Sequence, residues 1–325
     1  MILSGQKKSL TWGLLSLWVI MSLLLSSCAA KPTNQIVVRL ALLPIVDTLP
    51  LYVARDAGYF KAEGVQVEFI PVASAAERDQ VVGAGKVDGV VNDLVSIVLY
   101  NRDQPTLQVV RFMEVSQPGH PLYRILASGK SGITSVRELV GVPVAISQGS
   151  VINYVTDQLL LAGGLKEEDI KIVAVPKIPD RMALLASGEL KVATLPEPFA
   201  TIAAAQGAVV LTDDTKVAGL GNSVLSFRME FINKNPDVVK HLLIALEKAI
   251  AQVNSQPESA RPVFTTYKLV PETMAATFPV PAFPKAGVPD QPTYDQVAAW
   301  ALAHKLVERL VPYADSVRTD FVNLN

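Results

Sequence analysis

The side chain best suited to covalent chemistry is the thiol of Cys28, the only cysteine in the 325-residue sequence. Without a second cysteine an internal disulfide is excluded, and the polar stretch at 29–35 makes a core position unfavourable. A thiolate is a stronger nucleophile than a hydroxyl, so it can accept an alkyl group where serine would not serve. The sequence therefore predicts a modified cysteine at this position.

The residues before Cys28 have the order of a secretory signal. Two lysines, at positions 7 and 8, precede an apolar run at 10–25, and the small residues Ser26 and Ser27 follow it. The alternative is an uncleaved membrane anchor. We favour the signal because the run is shorter than the roughly 20 residues that cross a bilayer.

Leu25-Ser26-Ser27-Cys28 resembles the bacterial lipobox, whose cysteine is lipidated and becomes the mature N-terminus. The resemblance implies a signal peptide at 1–27 and a tether at 28–35 that begins at the lipidated Cys28. Several acyl chains, such as palmitate, anchor a protein stably, whereas a single chain binds only marginally. We therefore expect an extracytoplasmic protein on the bacterial cell membrane, in a periplasm or on the outer face.

Three carboxylates, Asp47, Asp93 and Glu197, stand in loops that follow predicted strands. Like charges repel strongly in a desolvated site, so converging carboxylates disfavour a small anion. They would accept hydrogen bonds from amino or ring N–H groups, which favours a nitrogen-rich heterocycle. The alternative that these carboxylates have only a structural role stays open. Both aspartates sit beside helix starts that they can cap, and Glu197 precedes a proline in a turn.

Other features of the sequence exclude several classes of function. His120, His241 and His304 have no metal-ligand spacing, and the chain has no Ser-His-Asp spacing or Walker loop. The net charge is −1 and there is no basic stripe, which argues against a nucleic-acid partner. We therefore expect no metal, no cofactor and no catalytic residue.

The elements that would position these groups alternate between strand and helix patterns. Thr48 is expected to cap the first helix, with Pro50 in its first turn, and Thr293 and Gln296 to form a capping box late in the chain. Strands and helices at this spacing predict a parallel sheet in an α/β lobe. The pattern predicts strands at 36–44, 63–71 and 86–92, and helices at 48–60, at 74–85 and from Asp93 onward.

A second stretch of the chain repeats this pattern. Residues 77–94 align with residues 180–198, so that Arg78 falls on Arg181, and both arginines are followed seven residues later by a glycine. In both stretches a helix ends at the glycine and the chain enters a strand. Together with the chain length, the repeat predicts two similar α/β lobes.

Several segments together resemble solute-binding proteins of ABC importers, in the group that captures nitrate, sulfonates, taurine and thiamine-pyrimidine precursors. The resemblance covers the chain from about residue 36 to 325. It implies a type II periplasmic-binding-protein fold, in which two α/β lobes around a ligand cleft are joined by two hinge crossings. It also implies ABC permease and ATPase subunits as partners of a monomer. The segments lie at 50–71, 84–96, 141–165, 195–200 and 230–250.

The layout of that family indicates where the chain changes lobes. Segments 115–121 and 217–223 are rich in glycine and proline, which do not extend a helix or a central strand. The alternative is that both are ordinary surface turns. The predicted lobe 1 comprises 36–118 plus 222–325, and the predicted lobe 2 comprises 119–221.

Open α/β sheets bind ligands beyond the carboxyl ends of their strands, so the loops there supply the candidate contacts. One loop precedes a helix whose free N–H groups would carry a partial positive charge of about half a unit. For Ser147 and Ser150 in this loop, simple helix capping is the alternative. The candidate ligand contacts are Asp47, Thr48, Ser74, Asn92, Asp93, Ser147, Gln148, Gly149, Ser150, Tyr154 and Glu197.

Further side chains are weaker candidates with competing interpretations. Arg111 ends a predicted strand and could meet an anionic ligand, although a salt bridge at the rim is more common. Arg78 is expected to be a solvated or lobe-facing charge, and its match with Arg181 favours a structural role. Tyr123 and Tyr154 can stack on a flat ligand, although such residues usually belong to the core.

These inferences combine into a lipid-anchored binding component of an ABC importer, which captures a small organic molecule by lobe closure. The favoured ligand is a nitrogen heterocycle such as a thiamine-pyrimidine precursor, followed by a sulfonate, taurine or nitrate. A ligand sensor and an enzyme acting on pyrimidine or menaquinone precursors are the alternatives. The pyrimidine synthase would require a cysteine-rich motif, and Cys28 lies in the anchor, so no enzyme is expected.

Overall fold

The computed structural model describes residues 36–73 and 75–323. The predicted signal peptide, the predicted tether and Cys28 lie outside the described residues, and so does the candidate ligand contact Ser74. From Val37 onward the described chain belongs to one contact unit. Within it, no helix has both the length and the apolar character that crossing a bilayer requires.

The strands of the described residues form two five-stranded sheets, with the order β2-β1-β3-β10-β4 in the first and β7-β6-β8-β5-β9 in the second. We refer to the first sheet with its helices as lobe 1 and to the second sheet with its helices as lobe 2. The strands are β1 Val37–Leu42, β2 Gln66–Pro71, β3 Gly89–Asp93, β4 Leu107–Glu114, β5 Tyr123–Ala127, β6 Pro143–Ile146, β7 Lys171–Ala174, β8 Val192–Pro196, β9 Val209–Asp213 and β10 Ser223–Arg228.

Both sheets are mixed, whereas the sequence predicted a parallel sheet. In lobe 1, β1 pairs in parallel with β2 and β3, but β10 runs antiparallel to β3 and β4. The reason is that β10 enters from lobe 2 and so runs opposite to the strands that lobe 1's own helices connect. Lobe 2 has the same plan, since β5 enters from lobe 1 and runs antiparallel to β8 and β9. The prediction of two similar α/β lobes is confirmed.

Helices connect most consecutive strands, as the alternating patterns predicted. The longest, α9, buries Val239, Leu242, Leu246 and Ile250, which recur at three- and four-residue spacing along one face. The helices are α1 Leu49–Asp56, α2 Tyr59–Ala62, α3 Ala75–Gly83, α4 Leu94–Tyr100, α5 Val151–Ala162, α6 Ile178–Ser187, α7 Phe199–Ala205, α8 Met229–Lys234, α9 Pro236–Ser255, α10 Pro257–Thr266, α11 Glu272–Ala275, α12 Gln291–Ala303 and α13 Tyr313–Ser316.

The helix predicted at 48–60 is divided into α1 and α2. Gly58 separates them with a φ of +75°, a conformation that glycine adopts without strain. Thr48 does not cap α1 through its side chain, because its hydroxyl donates to the carbonyl of Ile45 at 2.7 Å in the turn before the helix. The cap prediction is therefore wrong, while Pro50 lies in the first turn as predicted.

Aspartates cap two later helices through their side chains. Asp93 accepts a hydrogen bond from the N–H of Ser96 at 2.8 Å, which confirms the predicted start of α4. Asp290 accepts from the N–H of Thr293 at 3.0 Å, so the capping box predicted from Thr293 and Gln296 is wrong. Helix α12 begins directly after Asp290, which places Thr293 inside the first turn instead of at the cap.

Three apolar clusters hold the described residues together. One packs the first sheet against α1, α9 and α10, and another lies within lobe 2 around Leu126 and Leu185. The remaining cluster joins the lobes, because it contains Leu94 of α4, Tyr154 of α5 and Trp300 of α12. Burial stabilises by about 25 cal/mol per Å² of apolar surface, so this shared cluster favours contact between the lobes.

Candidate functional site

Four polar residues come together in lobe 1 where β3 and β4 end and β10 begins. Ser223 of β10 pairs in register with Asp93 of β3 on one side and with Glu114 of β4 on the other. Its hydroxyl donates to Oδ2 of Asp47 at 2.6 Å. Asp47 and Asp93 were predicted at this edge of the sheet, whereas Ser223 and Glu114 were not. We refer to these four residues as the acidic edge.

Asp47 has one carboxylate oxygen that the protein does not use. Oδ2 accepts from Ser223, but Oδ1 is buried and has no hydrogen-bond partner in the part of the chain that the structure describes. Burial raises the pKa of Asp47 to about 6, and the hydrogen bond from Ser223 and the charge of Arg78 oppose this rise. A buried acceptor without a partner is costly, so Oδ1 is suited to accept a hydrogen bond from a bound molecule.

Asp93 is occupied by protein groups. Its carboxylate accepts from the N–H of Ser96 at 2.8 Å and from the hydroxyl of Ser96 at 3.0 Å, and Oδ2 lies 3.7 Å from Nη2 of Arg78. Arg78 is only 5% exposed and also pairs with Asp79, so the prediction of a solvated arginine is wrong and a structural role fits it. Asp93 therefore mainly fixes the loop before α4.

Glu197 of lobe 2 is engaged in a similar way. Oε1 lies 3.0 Å from Nη2 of Arg124, an ion pair without the alignment of a hydrogen bond, and Oε2 accepts from the N–H of Thr201 at 3.2 Å. Burial raises the pKa of Glu197, and Arg124 and Thr201 oppose this rise. Of the three predicted carboxylates, Asp47 is thus the one with acceptor capacity to spare.

Asp214, which was not predicted, ties together the two segments that cross between the lobes. It is fully buried, and Oδ1 accepts from the N–H of Leu122 at 3.0 Å, while Oδ2 has no hydrogen-bond partner among the described residues. A Cβ on Gly221 would lie 2.0 Å from Oδ2, so only glycine admits the carboxylate there. Leu122 follows the first crossing and Gly221 belongs to the second.

The acidic groups lie close enough to influence one another. Burial raises the pKa of Glu114 well above its usual range, and the charges of Asp47, Asp214 and Glu197 add to this rise. Burial and nearby carboxylates likewise raise the pKa of Tyr123. A region of this kind favours a cationic or hydrogen-bond-donating group. The sequence signal for Glu114 and Asp214 was their position, since Glu114 directly precedes the first predicted crossing and Asp214 lies three residues before the second.

The loop at 147–150 joins β6 to α5 in lobe 2. The hydroxyl of Ser150 accepts from the N–H of Ile152 at 3.2 Å, so the predicted cap of α5 is confirmed. The hydroxyl of Ser147 donates to the carbonyl of Pro176 at 3.0 Å and accepts from Nη1 of Arg181 at 3.1 Å. The hydroxyls of both serines therefore already make hydrogen bonds within the protein. The hydroxyl of Ser147 contacts the guanidinium end of the Arg181 side chain.

The other candidate contacts differ in how accessible they are. Thr48 is fully buried, and Asn92 accepts from the hydroxyl of Ser226 at 2.8 Å, while its Nδ2 has no hydrogen-bond partner within the described ranges. Gln148 is exposed at the tip of the lobe 2 loop. Gly149 has a φ of +69°, which gives the loop its turn before α5.

Helices α5 and α12 make a polar contact between the lobes. Oδ2 of Asp157 accepts from Nε1 of Trp300 at 2.9 Å and lies 3.2 Å from Nε2 of His304. Tyr154 packs edge-on against Trp300, with ring centroids 5.4 Å apart. This environment fits the interpretation of Tyr154 as a core residue. No pattern in the sequence signalled the contact between Asp157 and Trp300, because the two residues lie 143 positions apart.

Arg111 is neither an exposed anion site nor a rim salt bridge. Its side chain is 2% exposed, forms an ion pair with Glu247 and donates to the carbonyl of Pro284 at 2.8 Å. The ion pair was predicted but its burial was not. Arg111 therefore holds β4 to α9 and to the loop before α12.

A cavity of about 400 Å³ lies between the two lobes. It is lined by Pro44, which begins the loop carrying Asp47, by Pro198 and Phe199 of lobe 2, and by Thr265 and residues 268–272. A void of only about 10 Å³ lies where α4, α5 and α12 meet. No three His, Cys, Asp or Glu side chains among the described residues are grouped to hold a metal ion.

A model of the family described as "NMT1/THI5 like" matches residues 46–260. The structure is similar to the periplasmic aliphatic sulphonate binding protein SsuA from Escherichia coli, with a TM-score of 0.74, 19% identity and coverage of 87% of this chain and 92% of that one. It is also similar to the periplasmic nitrate-binding protein NrtA from Synechocystis PCC 6803, with a TM-score of 0.60, 14% identity and the same coverage of 87% and 92%. These likenesses confirm the periplasmic-binding-protein fold.

Two curated proteins are similar in sequence. The 4-amino-5-hydroxymethyl-2-methylpyrimidine phosphate synthase THI11 of Saccharomyces cerevisiae is 25% identical over 73% of this chain and 72% of its own length. The nitrate import ATP-binding protein NrtC of Synechocystis sp. is 25% identical over 64% of this chain. That match covers 34% of NrtC, so the chain spans about a third of the length of that relative.

Proposed function

This chain belongs to the NMT1/THI5-like family, and we propose that it is the lipid-anchored, extracytoplasmic solute-binding component of an ABC importer. As a monomer it closes its lobes on a small organic molecule and delivers it to the permease, which an ATPase subunit drives. The unused Oδ1 of Asp47, in the loop whose first residue lines an interlobe cavity, carries this proposal. The fold shared with SsuA and NrtA supports it.

The proposed hinge consists of the two crossings at 115–121 and 217–223, which bound lobe 2 at 119–221. The positions of β5 to β9, all within that range, support these boundaries. Leu122 directly follows the first crossing and Asp214 lies three residues before the second, so the hydrogen bond between them joins the two ends of lobe 2 beside the hinge.

We propose that the ligand presents N–H donors to lobe 1, as a nitrogen heterocycle such as a thiamine-pyrimidine precursor does. Asp47 would accept from the ring or amino N–H, and Glu114 and Tyr123 would contribute to the same polar wall. The carboxylates of Asp47 and Asp93 disfavour a small anion at this end of the cleft. Sulfonate, taurine and nitrate are therefore second in order.

Calorimetric titration of Asp47→Asn with 4-amino-5-hydroxymethyl-2-methylpyrimidine tests this proposal. Wild type should bind the probe, and the variant should lose at least tenfold in affinity, because a charge-assisted hydrogen bond contributes about 1.5–3 kcal/mol. Asp103→Asn is the matched control, since Asp103 is an exposed lobe 1 carboxylate with a side chain 86% accessible. Its affinity should equal that of wild type.

Two outcomes would contradict the ligand assignment. One is unchanged affinity of Asp47→Asn for the aminopyrimidine. The other is tight binding of an alkanesulfonate by wild type with no binding of the aminopyrimidine, in which case solute binding stands but the heterocycle does not.

The second candidate function is an enzyme on the same fold, which the similarity to the yeast synthase favours. An importer component releases its bound solute unchanged, whereas a synthase forms or consumes it. Mass spectrometry of the aminopyrimidine after prolonged incubation with the protein separates the two, and conversion would favour the enzyme.

The lipid anchor on Cys28 is a proposal of its own, supported by the lone thiol behind Leu25-Ser26-Ser27. In an expressing bacterium the wild-type protein should incorporate labelled palmitate and sediment with membranes. Cys28→Ser should do neither, because a serine hydroxyl does not accept the lipid. Labelling that survives the substitution would exclude Cys28 as the lipidated residue.

A further inference from the structure

The hydroxyl of Ser223 is a close side-chain donor to Asp47. Oγ of Ser223 lies 2.6 Å from Oδ2 of Asp47, and both residues are only 9% exposed. A hydroxyl that donates to a charged carboxylate does so at about 2.5–2.7 Å, so the contact has the length expected for an ionised Asp47. Oδ1 of the same carboxylate has no hydrogen-bond partner in the described part of the chain. The serine therefore uses one oxygen and leaves the other.

The backbone of Ser223 is held at a defined position. Ser223 is the last residue of the second predicted crossing and the first residue of β10, and both neighbouring strands pair with it. The register against β4 shifts directly after it, because Ser223 pairs with Glu114 and Val224 with Phe112, which leaves Met113 without a partner on β10. An irregularity of this kind changes the direction of side chains and is common beside binding sites. The hydroxyl therefore projects from a fixed but irregular end of the strand.

The carboxylate of Asp47 depends on this contact for its orientation. Asp47 lies in a 3₁₀ turn, Val46–Thr48, whose hydrogen bonds hold the backbone of the turn. The torsion about the Cβ–Cγ bond of an aspartate is broad, so rotamer preference alone does not decide where each oxygen lies. The short hydrogen bond from Ser223 to Oδ2 restricts this rotation. The position of Oδ1 is thereby restricted as well.

Titratable groups from four elements surround Asp47. They are Arg78 of α3, Asp93 of β3, Glu114 of β4 and Tyr123 of β5. Burial raises the pKa of Asp47 to about 6, and the hydrogen bond from Ser223 is the largest effect that opposes this rise. The charge of Arg78 and the N–H of Thr48 oppose it less, while the charge of Asp93 adds to it. Without the Ser223 hydroxyl, Asp47 should therefore take up a proton at a higher pH.

We propose that Ser223 is the positioning residue of the solute site, which holds Oδ2 of Asp47 so that the carboxylate stays charged and Oδ1 accepts from the solute. This inference rests on the proposed function, because it takes Asp47 as the acceptor for the N–H donors of the solute. A protonated Asp47 would present an O–H donor in place of one acceptor. Binding is therefore complete above the pKa of Asp47 and is lost as the pH falls through it.

Calorimetric titration of Ser223→Ala with 4-amino-5-hydroxymethyl-2-methylpyrimidine, from about pH 8 to about pH 5, tests the proposal. The affinity of wild type should fall around pH 6, and that of Ser223→Ala should fall about one pH unit higher. One unit is tenfold, or about 1.4 kcal/mol, close to the least that a hydrogen bond to a charged group contributes. The loss in Ser223→Ala relative to wild type should thus be smallest near pH 8 and grow about tenfold toward pH 5. The protonation of the probe itself is common to both proteins and cancels in this ratio.

Two further variants separate positioning from a structural role. Ser223→Thr retains the hydroxyl, and threonine is well suited to strands, so this variant should restore the wild-type pH profile. Ser226→Ala removes another buried hydroxyl of β10, which donates to Asn92 at 2.8 Å, and should keep the wild-type pH profile even if its affinity changes. A loss of affinity that is independent of pH and equal in Ser223→Ala and Ser226→Ala would make Ser223 purely structural and overturn the inference.

The carboxyl carbon of Asp47 gives a second readout that needs no solute. In protein labelled with carbon-13 at the aspartate carboxyls, Asp47→Asn identifies the signal by its absence, and titration of that signal by NMR gives the pKa of Asp47. Ser223→Ala should raise this pKa above the wild-type value, whereas Ser226→Ala should leave it unchanged. Equal values in Ser223→Ala and wild type would also overturn the inference.

Failure of this inference is distinguishable from failure of the proposed function. If wild type binds the aminopyrimidine and Ser223→Ala has the wild-type pH profile, the positioning role is wrong and solute binding stands. If wild type does not bind the aminopyrimidine but the pKa of Asp47 rises in Ser223→Ala, the ligand assignment is wrong. Ser223 then stands as the residue that keeps Asp47 charged.

Discussion

Asp47 and Asp214 are carboxylates held away from water, and each has an oxygen without a protein partner among the described residues. Burial raises their pKa values to about 6 and about 7. Because these values exceed the ordinary one near 4, each group favours the folded state fully only at low pH, when it is protonated. That contribution is lost as the pH rises through about 6 for Asp47 and about 7 for Asp214.

We expect Asp214→Asn to flatten the dependence of the unfolding free energy on pH between about 4 and 7. At about 1.4 kcal/mol for each pH unit, ionising the buried carboxyl costs on the order of 4 kcal/mol, and an amide does not ionise. Its oxygen can still accept from Leu122. Urea unfolding at several pH values measures this, with Asp103→Asn as the exposed control, and equal slopes for Asp214→Asn and wild type would contradict it.

Sequence patterns predicted only those residues of the site whose position depends on the strand just before them in the chain. Asp47 and Asp93 were predicted because they directly follow strands of recognisable pattern. Ser223 and Glu114 were not, because their meeting depends on the register of β10 between β3 and β4, and no local pattern encodes the register of a strand that returns from the other lobe.

At the scale of elements, Asp214 links the residue that follows the first crossing to a glycine of the second crossing. Gly221 leaves the space that Asp214 fills, and the same carboxylate accepts from the N–H of Leu122. Strands and helices were largely predicted from periodicity, but their ends were not. The break at Gly58 and the cap at Asp290 depend on local backbone conformation that the apolar pattern does not record.

Gly221→Ala should destabilise the protein by about 2 kcal/mol or more, because the new methyl group must displace a fully buried carboxylate. Gly83→Ala is the matched control. A Cβ there meets nothing within 4 Å, so it should be neutral or stabilise by up to about 1 kcal/mol. Chemical denaturation measures both variants, and equal stability of the two would show that the crossings tolerate the methyl group.

At the scale of the whole molecule, the closure that we propose depends on contacts that only the assembled lobes provide. Asp157 of lobe 2 takes a hydrogen bond from Trp300 and an ion-pair contact from His304, both in the C-terminal part of lobe 1. Such long-range contacts could not be predicted from one sequence, because nothing local links α5 with α12.

Trp300→Phe should shift the molecule toward an open arrangement, since it removes a donor to Asp157 and keeps an aromatic ring. The radius of gyration from X-ray scattering should increase without solute, and affinity for the aminopyrimidine should fall as the closed population falls. Tyr294→Phe removes a buried hydrogen bond to Ser316 within lobe 1 and is the control. If both variants have the wild-type radius and affinity, the contact does not govern closure.

The position of β10 also sets an order of events during synthesis. The sheet of lobe 1 has β10 at its interior, between β3 and β4. In the chain, however, Ser223–Arg228 follow every strand of the lobe 2 sheet. A ribosome or an export channel releases the N-terminal part first, so until residue 228 emerges β3 has one unpaired edge and β4 has no strand partner. Lobe 2, nested inside lobe 1, can complete its sheet earlier. The half that carries Asp47 is thus the last to become compact.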